Sequence, residues 1–211
     1  MPSHVYLCMY MGYHLFYHIS KPLHHLDLTL KLVTLIALVT GQRCQSIYLM
    51  DLDSMQRNAD HYKFVIGDVV KHSAPGWKPP ELIRPAFKED NRVCVYWVLT
   101  EYIKHTPPYR GGVTRLLLCL VKAFQAVSRD TISRWIQTVM IQSGIGVKVF
   151  KPHSTREAST SKANSCQVPL DIILQTASWK GDCTFRKFYT KPKESNVSKF
   201  GQAILGFSLG E

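Results

Sequence analysis

The stretch LDLTLKLVTLIALVT, residues 26–40, constrains the fold more than any other part of the chain. It is apolar nearly all round, which predicts a buried helix and not an amphipathic one on the surface. Thr40-Gly41 follows, and glycine takes the left-handed position that closes a helix. The apolar run from Leu28 to Val39 is about twelve residues long and contains Lys31, whereas a bilayer span needs roughly 20. The helix therefore belongs inside a folded domain, and other elements must cover it. The chain has 211 residues, 45% of them hydrophobic and 19% charged, which is enough for one domain with a core plus a short appendage.

The flanking text supplies the cover. Residues 1–25, beginning MPSHVYLCMYMGYHLFYHIS, are rich in Tyr, His and Met. They lack the basic start and small-residue cleavage site of a signal peptide, and are read as an appendage. From Asp60 to Phe87, YKFVI, DVV and ELIRPAF carry β-branched and aromatic residues around the turn-forming SAPGWKPP, which predicts a small antiparallel sheet. Asn91 to His105 has helical spacing of Val95, Val98, Leu99 and Tyr102 and is stopped by Pro107-Pro108. TRLLLCLV, residues 114–121, is read as a short buried strand. SRDTISRWIQTVMIQSG is the clearest helix: Ser128 caps it, Asp130 suits its positive end, and Gly144 ends it. Its stripe of Ile132, Trp135, Ile136, Val139 and Met140 is a core face. Three more helices are expected, in HSTREASTSKAN, in PLDIILQTA with Pro169 at its first turn, and in DCTFRKFY capped by Asp182. The fold expected is mainly α with a small antiparallel β-sheet.

Charge narrows the partner. Lys and Arg number 26 against 15 acids, a net +11, which favours a polyanion such as DNA, RNA or an acidic membrane surface. Lys148, Lys151, Lys162, Lys180, Arg186, Lys187, Lys191, Lys193 and Lys199 concentrate the excess in the last quarter. At least half of these would ordinarily belong to solvated helix faces. The cysteines, Cys8, Cys44, Cys94, Cys119, Cys166 and Cys183, form no C-x-x-C pair. That argues against a zinc site and for a reducing, intracellular compartment.

Several places carry chemistry. Arg43 ends the helix in TGQR; Lys71 lies in VVKHSAPG; His153 and Arg156 open a helix in KPHSTR; Trp179 and, ten residues later, Tyr189 lie in ASWKGDCTFRKFY. Singly, each has an ordinary structural explanation: a surface arginine, a structural histidine, a core tryptophan, a packed tyrosine. Their order and spacing resemble the tyrosine recombinase (phage integrase) family, from about Leu26 to Pro192. LVTGQR, DTISRWI, HSTREAST and ASWKGDCTFRKFY are closest to the catalytic domains of eukaryotic mobile elements.

The resemblance implies a domain at 26–192 with a C-terminal tail at 193–211. Its activity would be DNA strand cleavage and rejoining through a 3′-phosphotyrosyl intermediate, in the nucleus. Tyr189 would be the nucleophile and Lys71 the proton donor to the leaving 5′-oxygen. Arg43 and Arg156 would hold the non-bridging oxygens, His153 would assist proton movement or bind phosphate, and Trp179 would donate its indole N–H. Planar guanidinium forks suit a phosphorane that gains charge. No cofactor and no metal are expected, since the arginines carry the electrostatic load. Lys151, Ser154, Thr155, Lys162, Lys180, Arg186 and Lys187 are the expected DNA contacts, with double-stranded DNA and a homo-oligomer on paired sites as partners.

Some features depart from the family pattern. Ser46 stands where relatives often have an acid, Glu157 follows Arg156, and Lys63, Lys78 and Lys88 compete with Lys71 for the sheet-lysine role. Relatives usually place a helical clamp domain ahead of this one, and here about 25 unrelated residues precede it. A non-catalytic DNA-binding remnant is therefore the alternative. A basic scaffold protein is a third reading, and it predicts that Arg43, Arg156 and Tyr189 are dispersed.

Overall fold

The computed structural model describes residues 25–66, 81–87, 89–91, 93–119 and 124–179. In chain order the helices are α1 (His25–Thr40), α2 (Cys44–Tyr48), α3 (Val95–His105), α4 (Pro107–Arg110), α5 (Arg129–Gln142), α6 (Ser154–Ser165) and α7 (Leu170–Thr176). The strands β1 (Met55–Arg57), β2 (His61–Val65) and β3 (Glu81–Pro85) lie between α2 and α3.

Helix α1 is the centre. Leu32, Val33, Ile36 and Ala37 are fully buried, and Lys31 is only 2% exposed. Helices α3, α5 and α6 pack around it. Each fully buried Leu, Ile or Val contributes roughly 1.5–3 kcal/mol, so the all-round apolar pattern is used on every side. Helix α5 turns Ile132, Ile136, Val139 and Met140 inward, with Trp135 packed at the edge. Ser128 caps it as expected, its Oγ accepting from the Thr131 N–H at 3.1 Å, and Gly144 leaves it at φ +74°.

The sheet is antiparallel in the order β1-β2-β3, with Met55 opposite Phe64 and Phe64 opposite Leu82. Tyr62 and Phe64 alternate inward along β2, as a half-buried strand requires. The Tyr62 hydroxyl meets Thr100 Oγ1 at 3.0 Å, tying the sheet to α3. Strand β1 begins five residues before the stretch that the sequence marked as sheet.

Three expectations are corrected. Helix α3 starts at Val95 and not at Asn91, because Cys94 stops it: its Sγ accepts the Trp97 N–H at 3.4 Å and the Phe87 N–H at 3.2 Å. Residues 114–118 are buried at Leu116, Leu117 and Leu118 but form no strand, only isolated bridges at Asp51–Arg115 and Leu118–Ala126. The main-chain groups are shared out: the Leu116 N–H donates to the Met50 carbonyl at 2.9 Å and the Cys119 N–H to the Gln125 carbonyl at 2.7 Å, and side chains take others. Arg110 Nη1 and Nη2 donate to the Arg115 and Leu116 carbonyls at 2.8 Å each, and the Leu118 N–H donates to the Tyr102 hydroxyl at 3.1 Å. Pro169 is the N-cap of α7 and so lies just outside its first turn. The DVV strand segment, the helix expected in DCTFRKFY, residues 1–24 and the tail 193–211 lie outside the described residues.

Candidate active site

The site forms where α1 ends. Thr40 Oγ1 donates to the Ile36 carbonyl at 2.6 Å, closing the last turn. Gly41 then takes φ +56°, in the left-handed region, and turns its carbonyl away from the helix axis. Arg43 follows in extended conformation, φ −78° and ψ 153°, as the N-cap of α2. Its side chain makes no capping bond and is exposed.

A second segment arrives through α6. The turn ahead of it is closed by its own groups: the Lys151 N–H donates to Ser154 Oγ at 3.2 Å, and Thr155 Oγ1 donates to the Pro152 carbonyl at 2.8 Å. One turn in, Arg156 is 5% exposed. Its Nη1 donates to the Gly41 carbonyl at 2.6 Å, across 115 residues of sequence. A charge-assisted bond of this kind is worth roughly 1.5–3 kcal/mol.

The third segment leaves α7. Ser178, at φ +54°, reverses the chain, and the Trp179 N–H donates to the Leu174 carbonyl at 2.8 Å. That places the indole under the guanidinium: Arg156 Cζ is 4.3 Å from the Trp179 ring centroid. A cation over an aromatic ring at this distance is worth about 0.5–2 kcal/mol.

The sequence candidates thus fall into distinct groups. Arg156, Trp179 and the TGQR turn are brought into one cluster. Arg43 is attached to that cluster through its backbone. His153 is the N-cap of α6, exposed, and makes no capping bond, so it sits beside the buried Arg156 at the rim of the cluster. Lys151 and Lys162 are exposed, the former with Nζ donating to the Val147 carbonyl at 3.1 Å. Ser154 and Thr155, expected to face DNA, are instead 7% and 1% exposed. Their hydroxyls serve the turn that starts α6. Lys71, Tyr189, Lys180, Arg186 and Lys187 lie outside the described residues, as do Lys78 and Lys88.

Two nearby residues were not singled out from the sequence. Gln42, 3% exposed, donates through Nε2 to the Thr176 carbonyl at 2.7 Å and to Ser178 Oγ at 3.1 Å. Arg129, at the start of α5, is close enough to Cys44 to act on its thiol. Burial pushes the Cys44 thiol up, and Arg129 opposes this only in part, so Cys44 stays protonated and is a poor nucleophile. The one signal for Arg129 was its place beside the Ser128 cap. An open cavity of ≈ 280 Å³ lies there, lined by Gln45, Tyr48, Ser128, Arg129 and Asp130. Among the described residues no group of His, Cys, Asp and Glu could hold a metal ion, and no helix is long and apolar enough to cross a membrane.

No family model matches the sequence, and no curated protein matches it. Solved structures do. The site-specific recombinase XerH, in a post-cleavage complex with its difH substrate, superposes with a TM-score of 0.68 at 12% identity, over 97% of this chain and 52% of that one. The recombinase XerA gives 0.62 at 14% identity, over 97% and 62%. The integrase of the transposon Tn1549, bound to circular-intermediate DNA, gives 0.62 at 10%, over 90% and 62%. The chain therefore spans about half to three-fifths of the length of these proteins. At such identities the likeness is one of fold, and this chain has the tyrosine recombinase catalytic fold.

Proposed function

We propose that the chain breaks and rejoins DNA through a tyrosine nucleophile, in site-specific recombination or integration. The observation that carries this reading is the placement of Arg156: a cation 115 residues from the TGQR turn in sequence is seated on that turn and stacked on Trp179. A scaffold protein has no need to gather these particular residues.

In the proposed reaction the Tyr189 phenol oxygen attacks a backbone phosphorus, the phosphorus–5′-oxygen bond breaks, and a 3′-phosphotyrosyl link remains. The leaving 5′-oxygen takes its proton from Lys71, and the phenol proton passes to His153 or to solvent. Arg43 and Arg156 stabilise the non-bridging oxygens as charge builds on them, more in the transition state than before it. Trp179 lies against the Arg156 guanidinium and offers its indole N–H. Because the phosphotyrosyl link conserves the bond energy, rejoining requires no nucleotide cofactor. Lys151 and Lys162, together with Lys180, Arg186 and Lys187, supply salt-dependent phosphate contacts. Action as an oligomer on paired sites, origin in a mobile element and location in the nucleus belong to the same proposal.

The test is covalent trapping. A nicked suicide duplex should leave a chain–DNA adduct that resists denaturant, and Tyr189→Phe should abolish it. An adduct that survives Tyr189→Phe rejects the assignment. Salt-sensitive binding with no adduct from the parent chain supports the non-catalytic DNA-binding reading instead.

A further inference from the structure

Arg43 and Trp179 have to keep a fixed relation if both are to serve one phosphate, yet they stand 136 positions apart and on different elements. Arg156 links them through the Gly41 carbonyl and the Trp179 ring face, and a substrate phosphate would compete for its donors. A second tie is present that no phosphate competes for. Gln42, inside the TGQR turn, sends its side-chain amide across the junction to the Thr176 carbonyl at 2.7 Å and to Ser178 Oγ at 3.1 Å. Thr176 is the last residue of α7, and Ser178 is the left-handed residue that aims Trp179.

We infer that Gln42 is a positioning residue of the site: its amide locks the turn that carries Arg43 to the turn that carries Trp179, so that both are held when Arg156 engages DNA. The inference rests on the reading of the site given above. The residue type supports it. Gln42 is 3% exposed, and its Oε1 has no hydrogen-bond partner among the described residues. Burying an unused acceptor is unfavourable. An apolar side chain of similar length would fill the space without that cost, so packing alone does not account for a glutamine here. Its two donated bonds do. One reaches the Thr176 carbonyl and the other the Ser178 hydroxyl, at the end of a helix of seven residues where Ser178 occupies φ +54° without being glycine. Gly41, next to Gln42, brings the same turn close to Ala177, whose Cβ lies 3.6 Å from where a Gly41 Cβ would stand.

The experiment pairs a structural readout with a kinetic one, on the full chain. The fluorescence of Trp179 is isolated as the difference between each protein and its Trp179→Phe counterpart, and its quenching by acrylamide is measured. Gln42→Leu is expected to raise quenching of the Trp179 component by about two-fold or more, because local opening exposes the ring. It should slow single-turnover adduct formation by about ten-fold or more while DNA affinity stays within about two-fold, since misplacement costs rate and not binding. Ser178→Ala, which removes one acceptor and leaves the fold intact, should shift both readouts in the same direction by less. It carries the test if Gln42→Leu fails to fold. Unchanged Trp179 quenching in both variants, or an unchanged adduct rate beside raised quenching, overturns the positioning role. Raised quenching in the variants, beside a parent chain that forms no adduct with any substrate, leaves the lock standing and defeats the recombinase reading instead.

Discussion

Arg43 and Arg156 are expected to do the same work on a phosphate, yet the fold treats them in opposite ways. Arg156 is buried, seated on the Gly41 carbonyl and stacked on Trp179. Arg43 contributes its backbone to the start of α2 and leaves its side chain exposed. One arginine is part of the architecture and the other is presented by it. One charge is fixed at the junction of α1, α6 and α7, and the other is carried to solvent two residues beyond the carbonyl that seats the first.

The comparison can be broken most decisively by removing each arginine in turn. Arg43→Ala and Arg156→Ala should each lower the rate of adduct formation by about 100-fold or more, the usual cost of one transition-state donor. Their stabilities should diverge. Arg156→Ala leaves the buried Gly41 carbonyl without its charged donor, so denaturant unfolding should show a loss of about 1–3 kcal/mol. Arg43→Ala should stay within about 0.5 kcal/mol of the parent, as exposed substitutions do. Equal stability losses would erase the distinction.

Gly41 sharpens it. Gly41→Ala places a Cβ at an ordinary 3.4 Å from Thr160 Cγ2, so the cost is backbone strain at φ +56°. Thermal or denaturant unfolding should show about 1–2 kcal/mol lost. Because the Gly41 carbonyl is the seat of Arg156, the adduct rate should fall further than the stability change alone explains.

The smallest effect lies at the far end of α1. Burial, with His105 and Arg110 nearby, holds the His25 imidazole below its ordinary value. Its folded-state pKa is thus lower than in the unfolded chain, so the unfolded chain binds the proton more readily. The contribution is complete above the ordinary histidine range and is lost as pH falls from there through the depressed folded value. Melting temperature should drop on acidification below about pH 6.5. The drop should be shallower in His25→Gln, with no change in the relative adduct rates of the two arginine variants.

How much of this was legible beforehand depended on whether the signal was local. The all-round apolar run of α1, the Ser128 cap and the Gly41 and Gly144 stops are local, and each stands where the sequence placed it. The buried run Leu116–Leu118 was misread because its main-chain groups bond to Arg110, Tyr102, Met50 and Val127, all outside the run. At Ser154 and Thr155 the sequence showed hydroxyls next to candidate cations, which resemble a phosphate contact, and did not show that the same hydroxyls close a helix start. Gln42 was missed because its partners lie 134 and 136 residues away, and no spacing rule reaches that far. Arg156 and Trp179, which the fold brings into contact, were singled out only through the order of the whole motif series.

The central claim is that Arg43 and Arg156 converge on one phosphate. A structure of the Tyr189→Phe protein bound to an uncleaved duplex tests it most directly. The expected result is one backbone phosphate with oxygens about 3 Å from both guanidinium groups, and the residue 189 ring facing its phosphorus. A complex in which the two arginines bind different phosphates, or in which residue 189 points away from both, would contradict it.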